Sequence, residues 1–114
     1  MARYDELPVY KASYDLLLAI FIYTKNFNKD YKYTIGESLK KETIDLINHI
    51  YRANSIQTKT ETIQKARENV EIIRLYIRLL KDLKQISLAQ FVRINEQIET
   101  VSKQLAGWQK AQRS

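Results

Sequence analysis

Four basic residues define the clearest chemical pattern in the chain: Arg67, Arg74, Arg78 and Lys81. At ~100° per residue, their spacings of seven, four and three place all four side chains within roughly 60° of one another on an α-helix. Guanidinium groups bind phosphate oxygens through paired, charge-assisted hydrogen bonds, so a cationic stripe of this kind suits a polyanion. The same spacing also fits a solvated face with local ion pairs, because Glu71 falls on it within reach of Arg67 and Arg74. The opposite side of the segment is expected to carry its apolar seam.

Catalytic chemistry is poorly supplied. His49 is the only imidazole and there is no cysteine, which excludes disulfides, thiolate metal sites and a thiol nucleophile and fits a reducing cytosol. His49 stands one helical turn from Asp45, close enough for a hydrogen-bonded pair to form, with a structural or solvated role favoured over a catalytic one. The acidic pairs Glu96 with Glu99 and Glu68 with Glu71 lack the histidine partners that a di-iron bundle needs on two helices. Gly36 and Gly107 form no phosphate-cradling loop. The expectation is a non-enzyme with no metal or cofactor. A second chemical motif is Lys29, Tyr31, Lys32 and Tyr33, where aromatics interleaved with lysines suit stacking on unpaired bases. Tyrosine near a helix start more often seals a core, and that reading is preferred for Tyr33, with Tyr31 left open.

The elements that position these residues are helices. The chain of 114 residues has two Gly and one Pro, too few for turn-rich β architecture. Four segments are expected, over about 7–27, 34–54, 59–85 and 87–109, within one domain spanning 1–114. Pro8 suits a first helical turn, where its missing N–H costs nothing. Thr34 with Glu37, and Thr58 with Glu61, have capping-box spacing; Ser87 with Gln90 repeats it. In the third segment Ile63, Ala66, Val70, Ile73, Ile77 and Leu80 alternate by three and four, and in the fourth so do Phe91, Ile94, Ile98, Val101, Leu105 and Trp108. That is the pattern of left-handed packing in four-helix bundles, and short connections make sequential helices antiparallel. The expected fold class is therefore all-α, an antiparallel four-helix bundle.

Two features point beyond a single bundle. Leu16 through Tyr23 is apolar around the whole helical circumference, and the third segment carries a second apolar stripe of Ile72, Tyr76, Leu79 and Leu83. One core does not need this much apolar surface, which predicts burial between subunits of a homo-oligomer. The formal net charge is +6, distributed as +1 over 1–33, zero over 34–58, +3 over 59–85 and +2 over 86–114. The basic second half suits nucleic acid or an acidic protein. The longest apolar run is eight residues, Leu16 to Tyr23, against the ~20 that a membrane span needs, so no membrane association and a cytoplasmic location are expected.

Several stretches in order carry a family likeness: Tyr33-Thr34-Ile35-Gly36-Glu37-Ser38-Leu39, Ile50-Tyr51-Arg52-Ala53-Asn54, Leu75-Tyr76-Ile77-Arg78-Leu79-Leu80, Leu88-Ala89-Gln90-Phe91 and Leu105-Ala106-Gly107-Trp108. Together they resemble the Avd-like four-helix bundle family, the accessory variability determinants of diversity-generating retroelements, related to proteins encoded in intervening sequences of 23S ribosomal RNA genes. The resemblance runs from about Leu7 to Lys110. It implies a homopentameric ring with a basic surface and central channel. It further implies nucleic-acid binding (template RNA or cDNA), association with the retroelement's reverse transcriptase, and no catalytic site. The family's helix-three arginine pair maps onto Arg74 and Arg78; Arg67 and Lys81 extend it by helix geometry alone. The alternative function is a homo-oligomeric protein-interaction scaffold of the ribosomal-RNA-associated type, without a reverse transcriptase partner.

Overall fold

A computed structural model describes residues 3–112. Four long helices run antiparallel in sequence order: α1 (Pro8–Thr24), α2 (Ile35–Ser55), α3 (Thr60–Asp82) and α4 (Leu88–Ala111). A 3-10 turn, Tyr4–Glu6, precedes them, and a one-turn helix, Lys29–Lys32, lies in the first connection. Each long helix packs against two neighbours, α1 on α2 and α4, and α3 on α2 and α4, so α1 and α3 sit diagonally across a bundle of 45 × 22 × 21 Å. Among the described residues there is no strand. This is a four-helix bundle.

The three-and-four periodicity builds the core. Ile63, Ala66, Val70, Ile73, Ile77 and Leu80 of α3 are all buried, as are Ile94, Ile98, Val101 and Leu105 of α4, with Phe91 and Trp108 packed against them at the margin. Leu16 and Ile20 of α1 and Leu39, Leu46 and Ile50 of α2 complete the interior, and Phe27 and Ile86 close one end. Burying a side chain of this size contributes about 1.5–3 kcal/mol each, so the core outweighs any single cap.

The caps differ from expectation in an instructive way. Ser87 forms its capping box: Oγ accepts from the Gln90 amide at 3.1 Å, and the Ser87 amide donates to Gln90 Oε1 at 2.9 Å. Neither threonine box forms. Thr34 turns its hydroxyl back to donate to the Asp30 carbonyl at 2.8 Å, and Glu37 pairs with Lys40 instead. At α3, Lys59 is the capping residue, and its ammonium donates to carbonyls at the end of α2, including Ala53 at 2.8 Å. At Thr34 the Asp30 carbonyl outcompetes the amide that the box would have served, whereas α3 starts at Thr60, which leaves Thr58 one residue outside the capping position.

The ends of α1 and α3 are shorter than expected, stopping at Thr24 and Asp82. After α3 the chain makes a Schellman turn. The Gln85 amide donates to the Leu80 carbonyl at 2.8 Å and the Lys84 amide to the Lys81 carbonyl at 2.9 Å. The turn requires a left-handed residue, and Lys84 supplies it with φ of 61°.

Candidate nucleic-acid interface

The basic stripe is present on α3, but not opposite the seam. Summing ~100° per residue puts its mean direction roughly 80° from that of Ile63 through Leu80, on the flank that meets α4. The reason is the bundle itself: a helix touching two neighbours uses its flanks for contact, and only the remaining side faces water.

That placement gives the four cations protein partners. The Arg67 guanidinium donates to Gln109 Oε1 on α4. Gln109 is buried and also donates to the Thr60 carbonyl at 3.3 Å and to Gln64 Oε1 at 3.0 Å. Arg74 bridges two carboxylates, Glu71 on its own helix at 3.2 Å and Glu99 on α4. Burial pulls the Arg74 pKa down, but hydrogen bonds to Glu99 and Glu71 and their charges overcome it, leaving the group above its ordinary value. A shallow groove of about 240 Å³ follows this lower half of the stripe, lined by Glu68 and Glu71 as well as Arg67.

The upper half is more open. Arg78 is 67% exposed and meets Asp82 at 3.3 Å, a surface pair that is easily exchanged. Lys81 lays its ammonium 4.7 Å from the centre of the Phe91 ring, with Asp82 at 4.0 Å. Both lead directly into Lys84.

The first connection joins this region. The Asn28 amide donates to Gln85 Oε1 at 2.7 Å, so the loop that carries Lys29, Tyr31, Lys32 and Tyr33 is fastened beside the end of α3. Tyr33 is not core: it is 62% exposed, with the Lys32 ammonium 5.8 Å from its ring centre. Tyr31 is half-buried. Among the described residues Lys29 and Lys84 have no carboxylate within salt-bridge range. One end of the bundle thus gathers Lys29, Lys32, Arg78, Lys81 and Lys84 against Asp30 and Asp82, a surplus of three and half of the net +6.

The bAvd-like family model matches residues 9–112. The chain belongs to the bAvd-like family. No curated protein matches it. The match covers all four helices of this bAvd-like bundle, and the family is the one that the motifs from Tyr33 to Trp108 indicate.

Two further side chains in the bAvd-like bundle depart from the sequence reading. His49 does not pair with Asp45, which instead holds Lys41 at 3.2 Å. Its Nδ1 lies 2.7 Å from Asn69 Oδ1, and Asn69 Nδ2 donates to the Glu42 carboxylate. Since an amide oxygen only accepts, His49 Nδ1 carries the proton. This is a structural tie between α2 and α3. Lys84 was missed as a binding candidate because the reading extended the third helix through it; the signal lay in the Lys81-to-Ile86 transition, where the apolar period breaks.

Among the described residues no group of three or more acidic, histidine or cysteine side chains could hold a metal ion, and no helix is long and apolar enough to cross a membrane.

Proposed function

We propose that this bAvd-like protein is a non-catalytic, cytoplasmic accessory of a diversity-generating retroelement. It assembles as a homopentameric ring, binds template RNA or cDNA, and associates with the reverse transcriptase. The observation that carries the nucleic-acid part is the cationic end. Phosphates reach Arg78, Lys81, Lys84, Lys29 and Lys32 without breaking a cross-helix ion pair, and exposed Tyr33 offers a ring on which an unpaired base stacks. Arg74 and Arg67 contribute less, because each must first release Glu99 or Gln109.

Lys84 adds weight to this reading. A left-handed residue at a Schellman turn is usually glycine, and a lysine there costs about 1 kcal/mol. A strained lysine, where glycine would fit without cost, at the centre of a cationic patch supports a use of that position in binding.

The test is RNA binding across a salt series. Double substitution of Arg78→Glu and Lys84→Glu should lower affinity at least tenfold and flatten the dependence of log K on log salt, while Arg67→Gln changes little. Equal binding by the double variant and the parent at every salt concentration would remove the nucleic-acid reading. The second reading, a homo-oligomeric interaction scaffold without a reverse transcriptase partner, is favoured by the protein partners that already occupy Arg67 and Arg74. It predicts an oligomer that ignores RNA.

A further inference from the structure

Two apolar stripes face away from the core, on the diagonally opposed helices α1 and α3. On α1, Lys11, Tyr14, Leu18, Ile22 and Lys25 fall on the side opposite buried Leu16 and Ile20. On α3, Glu68, Ile72, Leu75, Leu79 and Asp82 fall on the side opposite Ile73 and Ile77. Each runs three, four, or close to it, along the outer surface, and Leu18 and Leu75 are 47% and 63% exposed.

Their heights match. α1 and α3 run in the same direction, and each ends beside the Asn28–Gln85 hydrogen bond, which joins residues 57 apart. Helices rise by the same ~1.5 Å per residue, so counting back from that tie puts a residue of α1 within about a turn of the height of the α3 residue 57 positions later. On that count Leu18 is level with Leu75, Ile22 with Leu79, Lys11 with Glu68 and Lys25 with Asp82. A basic–apolar–basic stripe therefore stands at the same height as an acidic–apolar–acidic one on the other side of the molecule. Among the described residues Glu68 and Lys25 have no ion-pair partner, whereas Lys11 also meets Asp15 and Asp82 meets Arg78 and Lys81.

We propose that the outer face of α1 docks on the outer face of α3 of a second copy, the helices parallel and unshifted along their axes. The joint rests on the assembly part of the functional reading and gives it an interface. Being heterologous, it repeats, and it gives a ring where the rotation between copies closes and a filament where it does not. Because copies add without axial shift, every end that carries Lys84 falls on one rim, and the cationic patches add their fields there.

The experiment is native mass spectrometry of the parent, of Leu18→Glu, of Leu75→Glu and of their equimolar mixture. Both substitutions are on exposed positions, and circular dichroism checks that the bundle stays folded. Each variant alone should be monomeric; the mixture should form a one-to-one dimer, since each supplies the face that the other has lost. A mixture that stays monomeric, or a variant that keeps the parent mass, overturns the joint. A monomeric parent overturns the joint together with the assembly reading, whereas an oligomeric parent with unaffected variants overturns the joint alone. Charge exchange gives an independent check that leaves apolar packing alone: Lys11→Glu and Glu68→Lys should each weaken assembly, and the two together should restore it.

Discussion

Arg74 on α3 ties α4 to the bundle by reaching the Glu99 carboxylate while its Nε holds Glu71 at 3.2 Å. The Arg74 side chain is 31% exposed, so solvent screens the pair only in part. Replacing Arg74 with Gln should cost about 0.5–1 kcal/mol in urea denaturation, the range for a partly exposed pair with good geometry. It should reduce RNA affinity less than Arg78→Gln does. The opposite order would place the phosphate contact on the ion-paired half of the stripe.

Asn69 presents a different case, because both its amide groups are spoken for. Asn69→Leu removes the acceptor of His49 and a donor to Glu42 at one stroke. The site is buried, and the two groups left behind lose a partner that water replaces poorly. The expected loss is about 1–3 kcal/mol, read as a lower denaturation midpoint with unchanged slope. A stability equal to that of the parent would mean that leucine packing fully compensates the lost tie.

The seams of α3 and α4 were legible because burial imposes a period that one sequence displays by itself; Ile63 through Leu80 could be assigned from spacing alone. The partners of the stripe were not. Glu99 lies 25 residues from Arg74, and Gln109 lies 42 from Arg67. Which of them meet depends on how α4 is rotated against α3, a property of the pair of helices and of neither alone. The same limit explains Tyr33 and His49. Local spacing names a neighbour one turn away, but the structure chose Asn69 from another helix for His49 and solvent for Tyr33. The threonine boxes failed for local reasons that sequence spacing does not rank: the Asp30 carbonyl takes the Thr34 hydroxyl, and α3 starts at Thr60 with Lys59, not Thr58, at its cap.

The two glycines separate cleanly. A Cβ at Gly107 meets nothing within 4 Å, and the residue is exposed in the interior of α4. Gly107→Ala should therefore stabilise the protein by about 0.4–1 kcal/mol by restricting the unfolded chain. At Gly36 a Cβ would stand 3.2 Å from the Tyr31 carbonyl oxygen and 3.5 Å from the Phe27 ring. Gly36→Ala should forfeit that gain or reverse it. Thermal denaturation of the two variants side by side tests the difference.

Alkaline stability should report on Tyr10. Burial raises its pKa above the ordinary 10.0, and the charges of Tyr4, Tyr14 and Asp5 add to the rise. Tyr4 also packs edge-on against the Tyr10 ring, 5.1 Å between centres. A folded pKa above the unfolded one means that the unfolded chain loses its proton first. The contribution of Tyr10 is thus fully present below pH 10 and falls away as pH climbs from there through the folded value. Tyr10→Phe should lose less stability than the parent between pH 9 and pH 11, compared by urea midpoints. Parallel curves would show that Tyr10 titrates alike in both states.

Lys84 is where stability and function are expected to pull apart. Its φ of 61° puts a β-carbon in the left-handed region, where glycine fits without strain. Lys84→Gly should raise stability by about 1 kcal/mol, since it relieves the turn while leaving the Gln85-to-Leu80 and Lys84-to-Lys81 backbone bonds in place. The same change removes one cation from a patch whose surplus is three. If that cation meets a phosphate, RNA affinity should fall and the salt slope should drop by about 0.7–0.9. Lys84→Asn gives a matched control, as asparagine tolerates the conformation but also lacks the charge. A variant that is more stable and binds RNA more weakly would identify Lys84 as a residue held in strain for its charge. One that is more stable and binds equally well would make the lysine incidental to the patch and shift the phosphate contacts to Arg78 and the Lys29–Lys32 turn.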